Sequence, residues 1–260
     1  MAASPIMKIM QWNSRSIRNK MVEFTANLDK NKYDIVAVQE SWLKPKHNSP
    51  YVCSYDTLRK DRPDINRKAG GLLLFVKNTL HYIEKQIQVF PNGELEVQVV
   101  TIKTNEGNID VMNFYNPLTI LSKTEFCQYL NQLGRNYIIV GDINAHHSLW
   151  EPSKEGRSNH SGRILFDILQ EDLHNISMAT PPDLHTYTNG RTGEKSTIDH
   201  VLSNTNLLPF ISVKTLAVMG SDHMPILSEV IVSVDKTARG KRRKWIIDEE
   251  KWDEWKKRYS

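Results

Sequence analysis

With 260 residues, 39% of them hydrophobic, the chain can bury a sizeable core as one large α/β domain or two small ones, and a single domain is expected. Apolar runs such as Gly71 to Val76 fall far short of the ~20 residues that span a bilayer, and no continuous apolar segment opens the chain, so it reads as soluble and not secreted. The formal charge of +4 is local: residues 236 to 260 hold 10 of the 34 Lys and Arg against 5 of the 30 Asp and Glu, leaving 24 against 25 in residues 1 to 235, so net charge lends the body no support as a polyanion binder.

Taken in chain order, Lys8 to Trp12 reads as a strand leading to Asn13, and Asp34 to Val38 as one leading to Gln39 and Glu40. Between them Ile17, Met21, Phe24 and Leu28 recur at helical spacing. Further strands are expected at 72–76, 95–102 and 109–114, then at Tyr137 to Val140 before Gly141-Asp142-Ile143-Asn144. Ser161-Gly162 opens a second helix carrying Ile164, Leu165, Ile168, Leu169 and Leu173. Thr186 to Thr188 and Ser196 to Ile198 read as a hairpin whose loop takes positive φ at Asn189-Gly190 and Gly193, ending just before Asp199-His200. Strands at 211–218 and 226–234 complete the set, the last after Pro225. Many strands and few helices predict two packed sheets flanked by helices. Cys53 and Cys127 stand alone, without the spacing of a zinc site or a disulfide framework.

Several apolar runs stop abruptly at Asp, Asn or Glu, as buried strands with functional ends do. Singly, each such residue also suits an ordinary role: Asn13 a turn, Glu40 a solvated loop carboxylate, Gly141-Asp142 a simple turn, Asp199 and Asp222 caps or surface charges. His146, His147 and His200 suit packing or hydrogen bonding better than ligation. The ordered set is more specific than any member: Trp12-Asn13, Gln39-Glu40, Gly141 to Asn144, Thr197 to His200, and Ser221-Asp222-His223.

That set, over about residues 7 to 234, resembles the exonuclease-endonuclease-phosphatase superfamily of AP endonucleases and pancreatic-type deoxyribonucleases. Within it, Gly141 to His147 followed by Trp150 looks like the endonuclease domain of non-LTR (LINE-type) retrotransposons, especially jockey-like elements. Residues 235 to 260, with Lys241 to Lys244, Trp245, Trp252 and Trp255, resemble a basic linker towards a reverse transcriptase of the same polyprotein. The resemblance implies a DNase I-like four-layer α/β sandwich of two mainly antiparallel sheets, and a nuclear, Mg²⁺-dependent endonuclease, with Mn²⁺ as substitute, that nicks double-stranded DNA and leaves a 3′-hydroxyl for target-primed reverse transcription.

It also implies roles residue by residue. Glu40 is similar to the family's metal-binding glutamate and Asp222 faces the metal side; Asp142 orients or deprotonates the attacking water, and Asn144 positions that water or the phosphate. Asp199 holds His223, which as a cation donates to the scissile phosphate; Asn13 bonds near the metal or phosphate, and Tyr115 contacts the phosphate or serves as a core aromatic. Arg191 and Lys195 on the hairpin reach the backbone or minor groove where this family probes DNA shape, with Thr186, Ser196 and Ser221 also facing DNA. Two departures stand out: Arg15 occupies the place of an AP endonuclease aspartate, which favours one metal, and Leu118 replaces the asparagine of the family's Tyr-x-Pro-Asn. The alternatives are a repair-type AP endonuclease and a DNA-binding relic without catalysis, the latter opposed by the intact polar set.

Overall fold

The computed structural model describes residues 5–62, 69–90, 94–117, 120–154, 156–171 and 173–235. Leu118 and the basic segment after residue 235 lie outside them.

Two six-stranded sheets carry the fold. In the first the order is β13 (Ile211–Thr215), β14 (Ile226–Ile231), β1 (Ile6–Asn13), β2 (Ile35–Gln39), β4 (Leu72–Lys77) and β3 (Tyr55–Lys60). In the second it is β5 (Tyr82–Lys85), β6 (Glu96–Thr104), β7 (Gly107–Tyr115), β8 (Tyr137–Asp142), β12 (Asp199–Asn204) and β9 (Ile176–Met178). All neighbours are antiparallel except one parallel pair at the heart of each sheet, β1 with β2 and β7 with β8. A separate hairpin, β10 (Tyr187–Thr188) and β11 (Lys195–Ser196), stands at one rim. No helix among the described residues is long and apolar enough to cross a membrane.

Period-two alternation decides how the layers stack. Met7 and Ile9 of β1, Ile35 and Ala37 of β2, Ile109 and Val111 of β7, Ile138 and Val140 of β8 and Val201 of β12 meet between the sheets as one core. Met10, Trp12, Val36, Val38, Leu73 and Phe75 point the other way, where Phe24 and Leu28 of α1 (Met21–Asn31) cover them. Burying each of those two helix side chains contributes about 1.5–3 kcal/mol. Phe126 and Tyr129 of α2 (Lys123–Leu130) and Leu165 and Ile168 of α3 (His160–Gln170) do the same for the outer face of the second sheet. The result is the expected four-layer sandwich.

Local differences from the expected elements have local causes. Ile17 is buried but precedes α1, and α3 stops at Gln170, leaving Leu173 81% exposed instead of extending its apolar stripe. β13 ends at Thr215 and β14 at Ile231, both earlier than expected. Thr197 and Ile198 lead into β12, so Asp199 begins a strand and does not follow one. Of the positive-φ positions expected in the hairpin loop, only Gly193 has one, at 70°.

Candidate active site

The alternation that fills the core also builds the site. Each inner-face row runs from apolar to polar towards one rim: Met7 and Ile9 give way to Gln11 and Asn13, Ile35 and Ala37 to Gln39, Ile109 and Val111 to Asn113 and Tyr115, and Ile138 and Val140 to Asp142. Register then aligns the ends. Asn13 lies opposite Gln39, Tyr115 opposite Asp142, and Asp142 opposite Asp199. The two parallel pairs thus deliver their C-terminal ends to the same rim from both sheets.

Gly141 permits this alignment. A Cβ at that position would lie 1.8 Å from the carbonyl oxygen of Phe114 on the neighbouring strand, so β7 and β8 approach closely only with glycine there. Gly141→Ala is expected to destabilise the fold by about 3 kcal/mol or more, because the clash is with backbone that cannot rotate away. Chemical denaturation checks this, and a midpoint equal to the parent's would show that the strands can part at no cost.

Hydrogen bonds and one close charge contact link the polar rim. Asp199 Oδ2 pairs with His223 Nδ1 at 2.8 Å, and His223 Nε2 stands 3.9 Å from Asp142 Oδ2. Asn13 Nδ2 donates both to Asp142 Oδ2 at 2.8 Å and to Glu40 Oε1 at 2.9 Å. Glu40, at φ 50° just past β2, also accepts from the Tyr115 hydroxyl at 2.9 Å and from Trp42 Nε1 at 2.9 Å. Asn144, in the left-handed region at φ 54°, donates its backbone N–H to Asp142 Oδ1 and its amide to the carbonyl of Asn116. Glu40, Asp142, Asn144 and His223 line one cavity of about 490 Å³, together with Arg15, Tyr187 and His146.

Burial and crowding shift two of these groups. Asp142 is pushed up to about 8, by its burial first and by the charge of Asp199 second, with His223 and Asn13 opposing. Burial works against a charge on His223, yet Asp199 and Asp142 outweigh it and hold the imidazole up at about 9. The hairpin fixes this histidine as well: Met224 donates to the Thr186 carbonyl at 2.7 Å, Thr188 donates to the Asp222 carbonyl at 2.9 Å, and the Tyr187 ring lies 4.9 Å from that of His223.

The donor set fits a hard divalent cation. Glu40 accepts three hydrogen bonds, all from neutral donors, so no cation among the described residues is bonded to it, and the carboxylates of Asp142 and Asp199 stand close by along the same rim. Ligand atoms of Asp142, Asp199 and His223 also lie within 4.8 Å of one another, but His223 Nδ1 is already committed to Asp199, which makes that trio a proton-holding chain more than a vacant ligand set.

Several expected roles change. Asp222 lines the same cavity as Glu40, and its carboxylate is paired with the Arg15 guanidinium, the residue that replaces the AP endonuclease aspartate. Tyr115 is buried and holds Glu40, so its contact is with the carboxylate. Thr186 is fully buried, its hydroxyl accepting from the N–H groups of Ile198 and Asp199 at 3.1 Å each, which leaves it no surface for DNA. Ser221 supports Asn13 by donating to its carbonyl at 2.8 Å, and Ser196 is buried, its hydroxyl 3.3 Å from Lys154. Arg191 lines a neighbouring cavity with Arg15, Lys20, Trp42 and Tyr187, and Lys195 is exposed on the hairpin.

The sequence reading gave no role to Gln11, Gln39 or Asn113. Gln11 Nε2 reaches Asp199 Oδ1 at 2.9 Å and Gln39 Oε1 at 2.7 Å, and Gln39 Nε2 reaches Asn113 Oδ1 at 2.6 Å, a buried ladder that crosses between the sheets beneath the site. The available signal was spacing, since Gln11 stands two residues from Asn13 and Asn113 two from Tyr115.

A family model described as endonuclease-reverse transcriptase matches residues 109–227. The probable RNA-directed DNA polymerase from transposon X-element of Drosophila melanogaster is 23% identical over 85% of this chain and 24% of its own length, so the chain spans about a quarter of that relative. Among solved structures, the AP endonuclease LMAP from Leishmania major superimposes with a TM-score of 0.72 at 16% identity, covering 89% of each chain. The endonuclease domain of TRAS1, a telomere-specific non-LTR retrotransposon, gives 0.65 at 18% identity over 87% of this chain and 98% of that one. The sandwich is thus the fold of these AP endonuclease and retrotransposon-endonuclease structures, and the chain is similar in sequence to the endonuclease-reverse transcriptase family over residues 109–227 and to transposon polymerases over most of its length.

Proposed function

We propose that the chain is a Mg²⁺-dependent DNA endonuclease that nicks duplex target DNA, leaving a 3′-hydroxyl from which a reverse transcriptase of the same polyprotein primes synthesis. The observation that carries the reading is the run Asp199–His223–Asp142–Asn13–Glu40 along one cavity, joined by hydrogen bonds and by the 3.9 Å charge contact between His223 and Asp142. Asp142 orients the attacking water and takes its proton, while Asn144 frames the same place from its left-handed turn. His223, held as a cation by Asp199, donates from Nε2 to the phosphate as its negative charge builds. A Mg²⁺ ion bound by Glu40 would help neutralise that charge and favour the ionised form of Asp142. Acting on chromosomal DNA, such an enzyme would work in the nucleus.

Supercoiled plasmid incubated with and without Mg²⁺, followed by analysis of the nicked ends, tests this reading. Open circles formed only with the metal, with ends that a polymerase extends, are expected. Absence of nicking with either Mg²⁺ or Mn²⁺ would favour a relic that only binds DNA.

The AP endonucleases among its structural likenesses favour a second reading, a repair-type enzyme. Duplexes with and without one abasic site separate the two, since a repair enzyme would cleave the abasic duplex far faster.

Target choice on the first reading falls to the hairpin loop. Asn189 Oδ1 accepts from the N–H groups of Arg191 and Thr192, which fixes the loop with Arg191 beside the outer cavity. Replacing residues 189 to 194 with a short neutral turn, strands retained, is expected to preserve Mg²⁺-dependent nicking but to redistribute the preferred sites. Superimposable nick maps on a long mixed-sequence duplex would show that sites are chosen elsewhere.

A further inference from the structure

The proposed mechanism gives no role to Glu151, a buried carboxylate beside the site. Glu151 is 1% exposed, in the loop after the Gly141 to His147 run, yet it forms no part of the Asp199–His223 chain. Its Oε2 lies 2.7 Å from His146 Nδ1, and its Oε1 accepts from the Thr197 N–H at 3.1 Å with Lys154 Nζ at 3.6 Å. Burial alone would raise Glu151, but His146, the Thr197 N–H and Lys154 outweigh it and hold the carboxyl below its ordinary value. A buried ion of this kind is a costly way to stabilise a loop that an apolar side chain could fill.

His146 is held more firmly than a loop histidine needs for packing. Its N–H donates to Asn159 Oδ1 at 3.0 Å and its carbonyl accepts from Asn159 N at 3.0 Å, while Asn159 also caps α3 and donates to the Asn144 carbonyl at 2.8 Å. Gly162 of α3 packs so closely that a Cβ there would lie 1.8 Å from the His146 carbonyl oxygen. The ring itself is 20% exposed and lines the cavity of Asp142, Asn144 and His223. With Nδ1 given to Glu151, Nε2 is the ring nitrogen left to face a ligand. The nearby cations are otherwise engaged: Glu194 binds Arg157 and Lys154.

We propose that His146, oriented by Glu151, is a second phosphate-contacting residue that binds a backbone phosphate flanking the scissile one on the strand being cut. The inference rests on the endonuclease reading above. A histidine whose Nδ1–H is held by a carboxylate presents Nε2 in a fixed direction, and as an imidazolium it donates a charge-assisted hydrogen bond to a phosphate oxygen. Asp199 with His223 and Glu151 with His146 then form two histidine–carboxylate pairs on one cavity, one serving the reacting phosphate and the other setting the strand's register along it.

The test uses duplex oligonucleotides centred on a mapped nick site, each carrying one neutral methylphosphonate at a flanking position, with binding followed by fluorescence anisotropy. In the parent, one position should weaken binding about tenfold. In His146→Ala, binding to the unmodified duplex should weaken by a similar factor and that one position should cease to matter. Loss of a merely structural histidine would lower stability without erasing sensitivity to one phosphate. If His146→Ala fails to fold, His146→Gln keeps a donor for Glu151 and is read the same way. A folded variant with the parent's full pattern, or a parent indifferent to every flanking phosphate, overturns the proposal. A parent that binds no duplex would instead remove the endonuclease reading and this inference with it.

Discussion

Replacing Asp199 with asparagine is expected to lower the nicking rate by about 10²-fold or more and to move the alkaline limb of its pH profile to lower pH. On the proposed mechanism the direction follows from His223, whose protonated form would donate to the phosphate. In the parent it stays protonated up to about 9 because Asp199 and Asp142 outweigh burial. Asparagine can still accept from Nδ1 but carries no charge, so burial gains weight and the proton leaves at lower pH. The same charge links to stability. Because His223 is raised above its ordinary value, its contribution is complete below the unfolded value of 6.5 and is lost as pH rises through about 9; Asp199→Asn should therefore lose stability most clearly in acid and neutral solution. Initial rates across pH 5 to 10 check the first part, and a parental profile with unchanged amplitude would mean that the pair seen at 2.8 Å does no catalytic work.

Asp142→Ala should abolish nicking while leaving the melting temperature within about 4 °C of the parent's. On the proposed mechanism the rate falls because the attacking water loses the group that would orient and deprotonate it. Stability holds because the parental carboxylate is itself under strain: its value is raised from 3.8 to about 8, so between those pH values the unfolded chain releases a proton that the folded protein retains, and stability from this group declines. Alanine removes that decline but leaves the Asn144 N–H without its acceptor, two effects of opposite sign. A folded Asp142→Ala protein that nicks near the parental rate would end the assignment, and a collapse of the melting temperature would recast Asp142 as a structural residue. This separation of rate from stability is common where active sites crowd like charges.

The sequence made the site legible where strand periodicity ended in a charge. Asn13, Glu40, Asp142, Asp199 and His223 were readable because each closes or opens an apolar run, and the structure brings all five together. Gln11, Gln39 and Asn113 were not, because a single amide within a strand has no local partner to betray it; Gln11 and Asp199 are 188 residues apart. The Arg15–Asp222 pair was hidden in the same way, although Arg15 was noticed as a departure. Edge strands β3, β5 and β9 were missed since their half-exposed residues lack a clean alternation. α2 could have been found: Ser122 followed three residues later by Glu125 is a helix-start signature, and Ser122 does accept from the Glu125 N–H.

The pairing of β1 with β14 brings the first strand beside the last of the described strands, with Met7 opposite Val230 and Gln11 opposite Ile226. A nascent polypeptide emerging from the ribosome therefore holds Asn13 and Glu40 early, then Asp142, but cannot close the first sheet or seat His223 against Asp199 until more than 220 residues have been made. A prematurely terminated product would carry most of the rim residues without the assembled site. If the site cuts DNA as proposed, the strand order ties that activity to completed synthesis of the domain, and fragments of it would spare a cell the breaks that the finished fold would make.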